Sequence, residues 1–147
     1  MGSTHRIIPN DILLKDISRL LEEGKTVTLL AKGCSMLPFI HGGKDSIILK
    51  KFEKYCVGDI VLAEVSKDFY VVHRIIFLEK GVTLMGDGNF RGTEHCRLED
   101  IKGKVTGIVH KDKNINPDSR SQKTLSKIWN ILLPCRRILL GIYRRLL

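Results

Sequence analysis

Phe69-Tyr70-Val71-Val72-His73-Arg74-Ile75-Ile76-Phe77-Leu78 is the strongest strand signal in the chain, dense in β-branched and aromatic side chains. Such residues pack well on a pleated, half-buried surface. Working outward, Val57-Gly58-Asp59 turns the chain into an apolar run at 60–65, and Ser46-Ile47-Ile48-Leu49-Lys50 precedes it as a further strand. Thr26-Val27-Thr28-Leu29-Leu30-Ala31 has the same character. Downstream, Lys80-Gly81 turns into Val82-Thr83-Leu84-Met85, Gly86-Asp87-Gly88-Asn89 is a loop, and another strand is predicted at 103–109. Short strands at this spacing, separated by turn residues, predict a mostly-β, barrel-like or coiled sheet rather than a βαβ architecture.

Two helical segments flank the strands. Residues 10–23 read as a helix that Asn10 or Asp11 can cap, with Ile12, Leu13, Ile17, Leu20 and Leu21 on one face and Gly24 as its stop. Its apolar stripe should pack on the sheet. Lys111 to Ser121 is polar and reads as a linker, giving a domain over 1–110, a linker over 111–122 and a C-terminal amphipathic helix over 123–147 that Pro134 breaks.

At 147 residues and 43% hydrophobic content, the chain can bury one domain core. Its net charge of +9 is uneven. Residues 1–110 carry 16 basic and 14 acidic side chains, whereas 111–147 carry 9 and 2. An anionic membrane surface or a nucleic acid would therefore meet the tail first. Arginine pairs at 136–137 and 144–145 interrupt the helical spacing of Ile128, Trp129, Leu132, Leu133, Leu139, Leu140 and Tyr143, a pattern that suits either an interfacial helix or one packed on protein. No stretch reaches the roughly 18 uncharged apolar residues of a bilayer span. Met1-Gly2-Ser3-Thr4-His5-Arg6 lacks the apolar core of a secretory signal. Cys34, Cys56, Cys96 and Cys135 form no CxxC pair, so neither a zinc site nor a redox motif is signalled, and they read as reduced thiols.

The candidate chemistry lies in Gly33-Cys34-Ser35-Met36-Leu37-Pro38, where an apolar run ends, Gly33 permits a sharp turn and a serine follows. A serine hydroxyl is nearly inert at neutral pH unless a base lies within about 2.6–3.2 Å. Taken alone, the stretch reads as an ordinary strand-to-loop junction. Five boxes in order change that reading. Ser35-Met36-Leu37-Pro38 resembles the S-M-x-P box of the signal peptidase I superfamily of serine endopeptidases, which includes self-cleaving repressor peptidases. Val57-Gly58-Asp59-Ile60-Val61, Val72-His73-Arg74-Ile75, Gly86-Asp87-Gly88-Asn89 and Gly103-Lys104-Val105-Thr106-Gly107 are similar to that family's four later segments. The resemblance covers about residues 26–109.

It implies a coiled β-sheet peptidase domain of the signal-peptidase and repressor-peptidase kind, without cofactor or metal. Histidine at position 73, where many bacterial members have lysine, makes the chain similar to the archaeal, endoplasmic-reticulum and sporulation-type branch. By that match Ser35 is the nucleophile and His73 the general base, and an unperturbed imidazole is largely neutral at pH 7. Asp87 is the candidate to orient His73, or else a turn-forming aspartate. Glu94 is the nearest later acid, off the usual spacing, so the third member stays open. The Ser35 N–H is the expected oxyanion donor, and Gly33 stands where many relatives supply a second, hydroxyl donor. The Cys34 side chain would point to the opposite side if the strand continues. Substrate would lie extended beside residues 27–34 and 69–73, with Gly33, Cys34, Met36, Pro38, Val71 and Val72 as candidate contacts.

The expected function is therefore removal of a leader or signal segment from a particular peptide or protein. A catalytically inactive peptide- or membrane-binding module of the same fold is the alternative. One helix in the first 24 residues is too little for a repressor's helix-turn-helix, so no specific nucleic acid is expected. The expected location is cytoplasmic, with peripheral membrane contact through residues 123–147.

Overall fold

The computed structural model describes the chain from Asn10 to Leu147, with side chains from Leu13 onward. The expected cap from Asn10 or Asp11, the Ile12 contact and the reading of the first six residues lie outside the described parts. The elements are α1 (Asn10–Glu22), β1 (Val27–Leu30), β2 (Ser46–Lys50), β3 (Ile60–Ser66), β4 (Phe69–Phe77), β5 (Val82–Met85), β6 (Glu94–Cys96), β7 (Ile101–His110), β8 (Lys113–Ile115), α2 (Arg120–Ile131) and α3 (Arg136–Leu146). The fold is a mostly antiparallel β-sheet with three helices.

The strands form one sheet in the order β1-β2-β7-β3-β4-β5-β6, with β8 paired to β7 outside that path. The long β7 changes partners along its length. Residues 104–109 pair with β2, 101–104 with β3 and 108–110 with β8. Register shifts at Ile48/Leu49, Leu62/Ala63 and Ile75/Phe77 bend the ladders. A bent sheet can bury parts of both faces, and two cores result. Ile60 and Leu62 of β3 join Ile47, Leu49, Val105 and Ile108 in one, while Val61 and Ala63 join Ile75, Val82 and Leu84 in the other. That is why β3 begins with four consecutive buried apolar residues instead of alternating with polar ones.

Helix α1 covers the first core with Ile17 and Leu21, as its apolar stripe predicts. A Cβ at Gly103 would lie 3.0 Å from Leu21 Cδ1, so the glycine in β7 lets the helix sit close to the sheet.

The predicted linker over 111–122 is corrected by the structure. Lys113–Ile115 is a strand, joined to β7 by a two-residue hairpin in which Lys111 and Asp112 have φ of 47° and 64°. Positive φ at both positions matches the twist of a two-residue hairpin, but Lys-Asp lacks the Asn-Gly signature that announces one. Lys104 reinforces the junction, its Nζ lying 2.9 Å from Asp118 and 3.2 Å from Asp59. The C-terminal helical segment breaks at Pro134, as the sequence predicts, into two helices. Ser119 caps α2 through Gln122 N–H, and a short 3₁₀ turn over Leu133–Cys135, centred on Pro134, separates α2 from α3. No helix among the described residues is long and apolar enough to cross a membrane.

Leu21 is fully buried beneath the sheet. Leu21→Ala should lower unfolding free energy by about 2–5 kcal/mol in urea titration, through lost burial and the cavity left behind.

Candidate active site

The serine loop is held by its neighbours in sequence. Gly33, at φ 75°, turns the chain out of β1, while Met36 and Leu37 bury their side chains. The Met36 carbonyl accepts from Phe39 and Ile40 N–H at 3.0 and 2.9 Å, which closes the turn. Ser35 stays half-buried between the exposed Cys34 and these anchors.

Three glycines then let other backbone segments close on this loop. A Cβ at Gly42 would stand 1.9 Å from the Gly33 carbonyl oxygen, and one at Gly88 would stand 2.2 Å from that of Cys34. The Gly88 N–H donates to the Ser35 carbonyl at 2.7 Å. At Gly86 the missing Cβ would lie 2.4 Å from the Ser35 carbonyl oxygen and 3.1 Å from His73 Nε2. The imidazole edge and the serine main chain therefore meet over Gly86, at a place no side chain can occupy.

His73 lies in β4 and is only 5% exposed. Its Nδ1 is 2.8 Å from Glu94 Oε2. An ionised carboxylate can only accept, so Nδ1 donates and Nε2 is left as the basic nitrogen. His73 and Ser35 line the same cleft, of about 250 Å³, with Leu29, Ala31, Tyr70 and Val72 among its apolar walls. Leu13 and Leu14 of α1 also reach it.

Two strand edges flank the cleft. β1 pairs with β2 on one side, and no strand among the described residues pairs with its other edge. β4 pairs with β5 only from Arg74 onward, which leaves the edge of residues 69–73 open beside the cleft. Such edges present main-chain donors and acceptors to an extended peptide.

The expectation that Asp87 orients His73 does not match this geometry. Asp87 instead takes Arg74 in a two-oxygen pairing, Nε to Oδ1 at 2.9 Å and Nη2 to Oδ2 at 2.7 Å. Successive strand residues point to opposite faces, so Arg74 and His73 reach different acids. Arg74 and Asp87 are 4% and 2% exposed. The same guanidinium donates to the Gly58 carbonyl at 2.8 Å and lies over the Phe39 ring. Glu94 reaches His73 because it opens β6, paired opposite Leu84 of β5.

Of the expected substrate contacts, Gly33, Met36, Val71 and Val72 line the cleft. Cys34 and Pro38 are not among its lining residues, and Cys34 Sγ faces outward, 3.7 Å from Arg144 Nη2.

The C-terminal helices contribute contacts that sequence reasoning missed. Trp129 Nε1 donates to the Asp87 carbonyl at 2.7 Å, and Arg136 Nη1 donates to the Asn89 carbonyl at 3.1 Å. Arg136 is itself buried. Burial holds its pKa below the ordinary value, opposed by the charge of Asp87 and assisted by that of Arg74. Tyr143 OH meets His41 Nε2 at 2.5 Å. The tail thus packs against both loops that carry the candidate residues.

Among the described residues, His41, Asp45 and His110 form a cluster with the composition of a metal site, its ligating atoms all within 4.8 Å of one another. They are engaged with each other. His110 Nδ1 is 2.5 Å from Asp45 Oδ1, and His41 Nδ1 is 3.1 Å from Oδ2. Burial pushes the Asp45 carboxyl up, but the His41 N–H and the two imidazoles outweigh it and hold the group below its usual range.

Compared with known proteins, the chain matches no family model and no curated protein.

Asp87→Ala should cost about 3–5 kcal/mol of stability in urea unfolding, because it leaves the Arg74 guanidinium buried and uncompensated. Asp45 is depressed on folding, so its contribution is present above the unfolded pKa of about 3.9 and lost as pH falls through the folded value. The unfolding midpoint should therefore drop below about pH 4, with a shallower drop in Asp45→Asn.

Proposed function

We propose that the chain is a serine endopeptidase of the signal-peptidase type, which cuts a leader or signal segment from an extended peptide. The observation that carries this reading is the placement of His73. Its Nδ1 is engaged by Glu94, and its Nε2 faces the serine loop over Gly86, in a cleft that Ser35 also lines. The five sequence boxes, from Ser35-Met36-Leu37-Pro38 to Gly103-Lys104-Val105-Thr106-Gly107, support the same family.

In this mechanism the substrate enters as an added strand between the open edges of β1 and β4, with apolar side chains turned into the cleft. Ser35 Oγ attacks the scissile carbonyl while His73 Nε2 takes its proton. Glu94 holds the tautomer and balances the imidazolium that forms. The Ser35 N–H stabilises the oxyanion. Collapse breaks the C–N bond, and His73 returns its proton to the leaving amine. Water then attacks the acyl-enzyme with His73 again as base, releasing the second product and restoring Ser35. No cofactor or metal enters these steps.

The test is turnover of an extended-peptide library by the purified chain. Ser35→Ala and His73→Ala should reduce cleavage to background. Glu94→Gln should lower kcat about 10²- to 10⁴-fold with little change in KM, since the carboxylate acts through His73. Cleavage that survives Ser35→Ala overturns the proposal, and peptide binding without any turnover would make the chain a binding module instead.

A further inference from the structure

The inner faces of α2 and α3 are occupied by the serine and Asp87 loops, but their outer faces are not. On α3, Ile138, Ile142 and Leu146 are 69%, 54% and 81% exposed. Their spacing of four residues places them on one stripe of the helix. Leu125, Ile128 and Ile131 of α2 are also exposed. Scattered surface apolar residues need no explanation, whereas a helical stripe of large aliphatics does.

Charge indicates what covers it. Residues 119–147 hold seven Lys and Arg and no Asp or Glu. Arg136 is committed to Asn89 and Arg144 meets Cys34, but Arg145 is exposed beside the stripe and Arg137 is exposed on the same helix. A second copy of the chain is a poor occupant, because a two-fold interface would set this cationic flank against itself. An anionic bilayer satisfies both halves of the surface, with aliphatic side chains entering the headgroup boundary and guanidinium groups meeting phosphates.

We propose that the outer face of α3 docks on anionic phospholipid and thereby holds the Ser35 cleft beside the membrane surface. Ser35 is close because the inner face of the same helix touches its loop. Tyr143 meets His41, and Arg144 meets Cys34. The docking does not use Ser35 chemistry and stands apart from the peptidase reading.

Co-sedimentation of the full chain with vesicles of phosphatidylcholine, with or without phosphatidylglycerol, tests it. Binding to the anionic vesicles should be at least about tenfold stronger and should weaken as salt is raised. Ile138→Asp combined with Ile142→Asp should abolish most of it, and Arg137→Glu combined with Arg145→Glu should remove the salt-sensitive part. These side chains are exposed, so thermal unfolding should change little, and any pair that lowers it is replaced by Ile138→Ser with Ile142→Ser. Ser35→Ala should bind like the unchanged chain, which separates this result from any failure of peptide cleavage. Equal binding to both vesicle types, or none, overturns the proposal. So does a dimer in analytical ultracentrifugation that the aspartate pair dissociates.

Discussion

Everything around the cleft leans on Asp87. Its carboxylate is paired with Arg74 beside the candidate base, its N–H points at Met36 Sδ from 3.5 Å, and its carbonyl accepts from Trp129. One residue therefore joins strand β4, the serine loop and helix α2. Through Arg74 the same link continues to Gly58, at the turn into β3. A buried pair of this kind contributes little net free energy over an apolar equivalent, but losing one partner is costly. Its value lies in the single arrangement it permits: the guanidinium is satisfied only when three separate segments occupy their places.

The glycines act on the same assembly by allowing contact. Gly42, Gly86 and Gly88 bring main chain against main chain around residues 33–35, closer than any side chain would tolerate. The serine loop is thus positioned from three directions by backbone. The buried Met36 and Leu37 side chains anchor it on its remaining side.

Much of this was readable from residue type and order. Val82–Met85 and Ser46–Lys50 matched their predicted limits because turn residues bracket compact apolar runs. The ends of β7 and the strands β6 and β8 escaped. Glu94-His95-Cys96 carries no apolar pattern, and β8 depends on a Lys111-Asp112 turn that local sequence does not advertise. Ser35 and His73 were singled out by motif order, and both line the same cleft. Glu94 could be named only as a nearby acid, since its approach to His73 follows from how β4, β5 and β6 stack in register. Arg74 was read only as part of the Val72-His73-Arg74-Ile75 box, and its pairing with Asp87 carries no local signal. The roles of Trp129 and Arg136 had no local signal at all, because they arise from where the tail lands.

That landing has a consequence for biosynthesis. Helices α2 and α3 follow the whole sheet in chain order, so β1 through β8 leave the ribosome ahead of Trp129 and Arg136, whose grip on the Asp87 and Asn89 carbonyls is made last. Sheet and serine loop can form early, yet the loop that backs the imidazole lacks its outer support until the tail emerges. The order of synthesis therefore leaves the clasp on the Asp87 and Asn89 loop as the last part of the cleft to be completed.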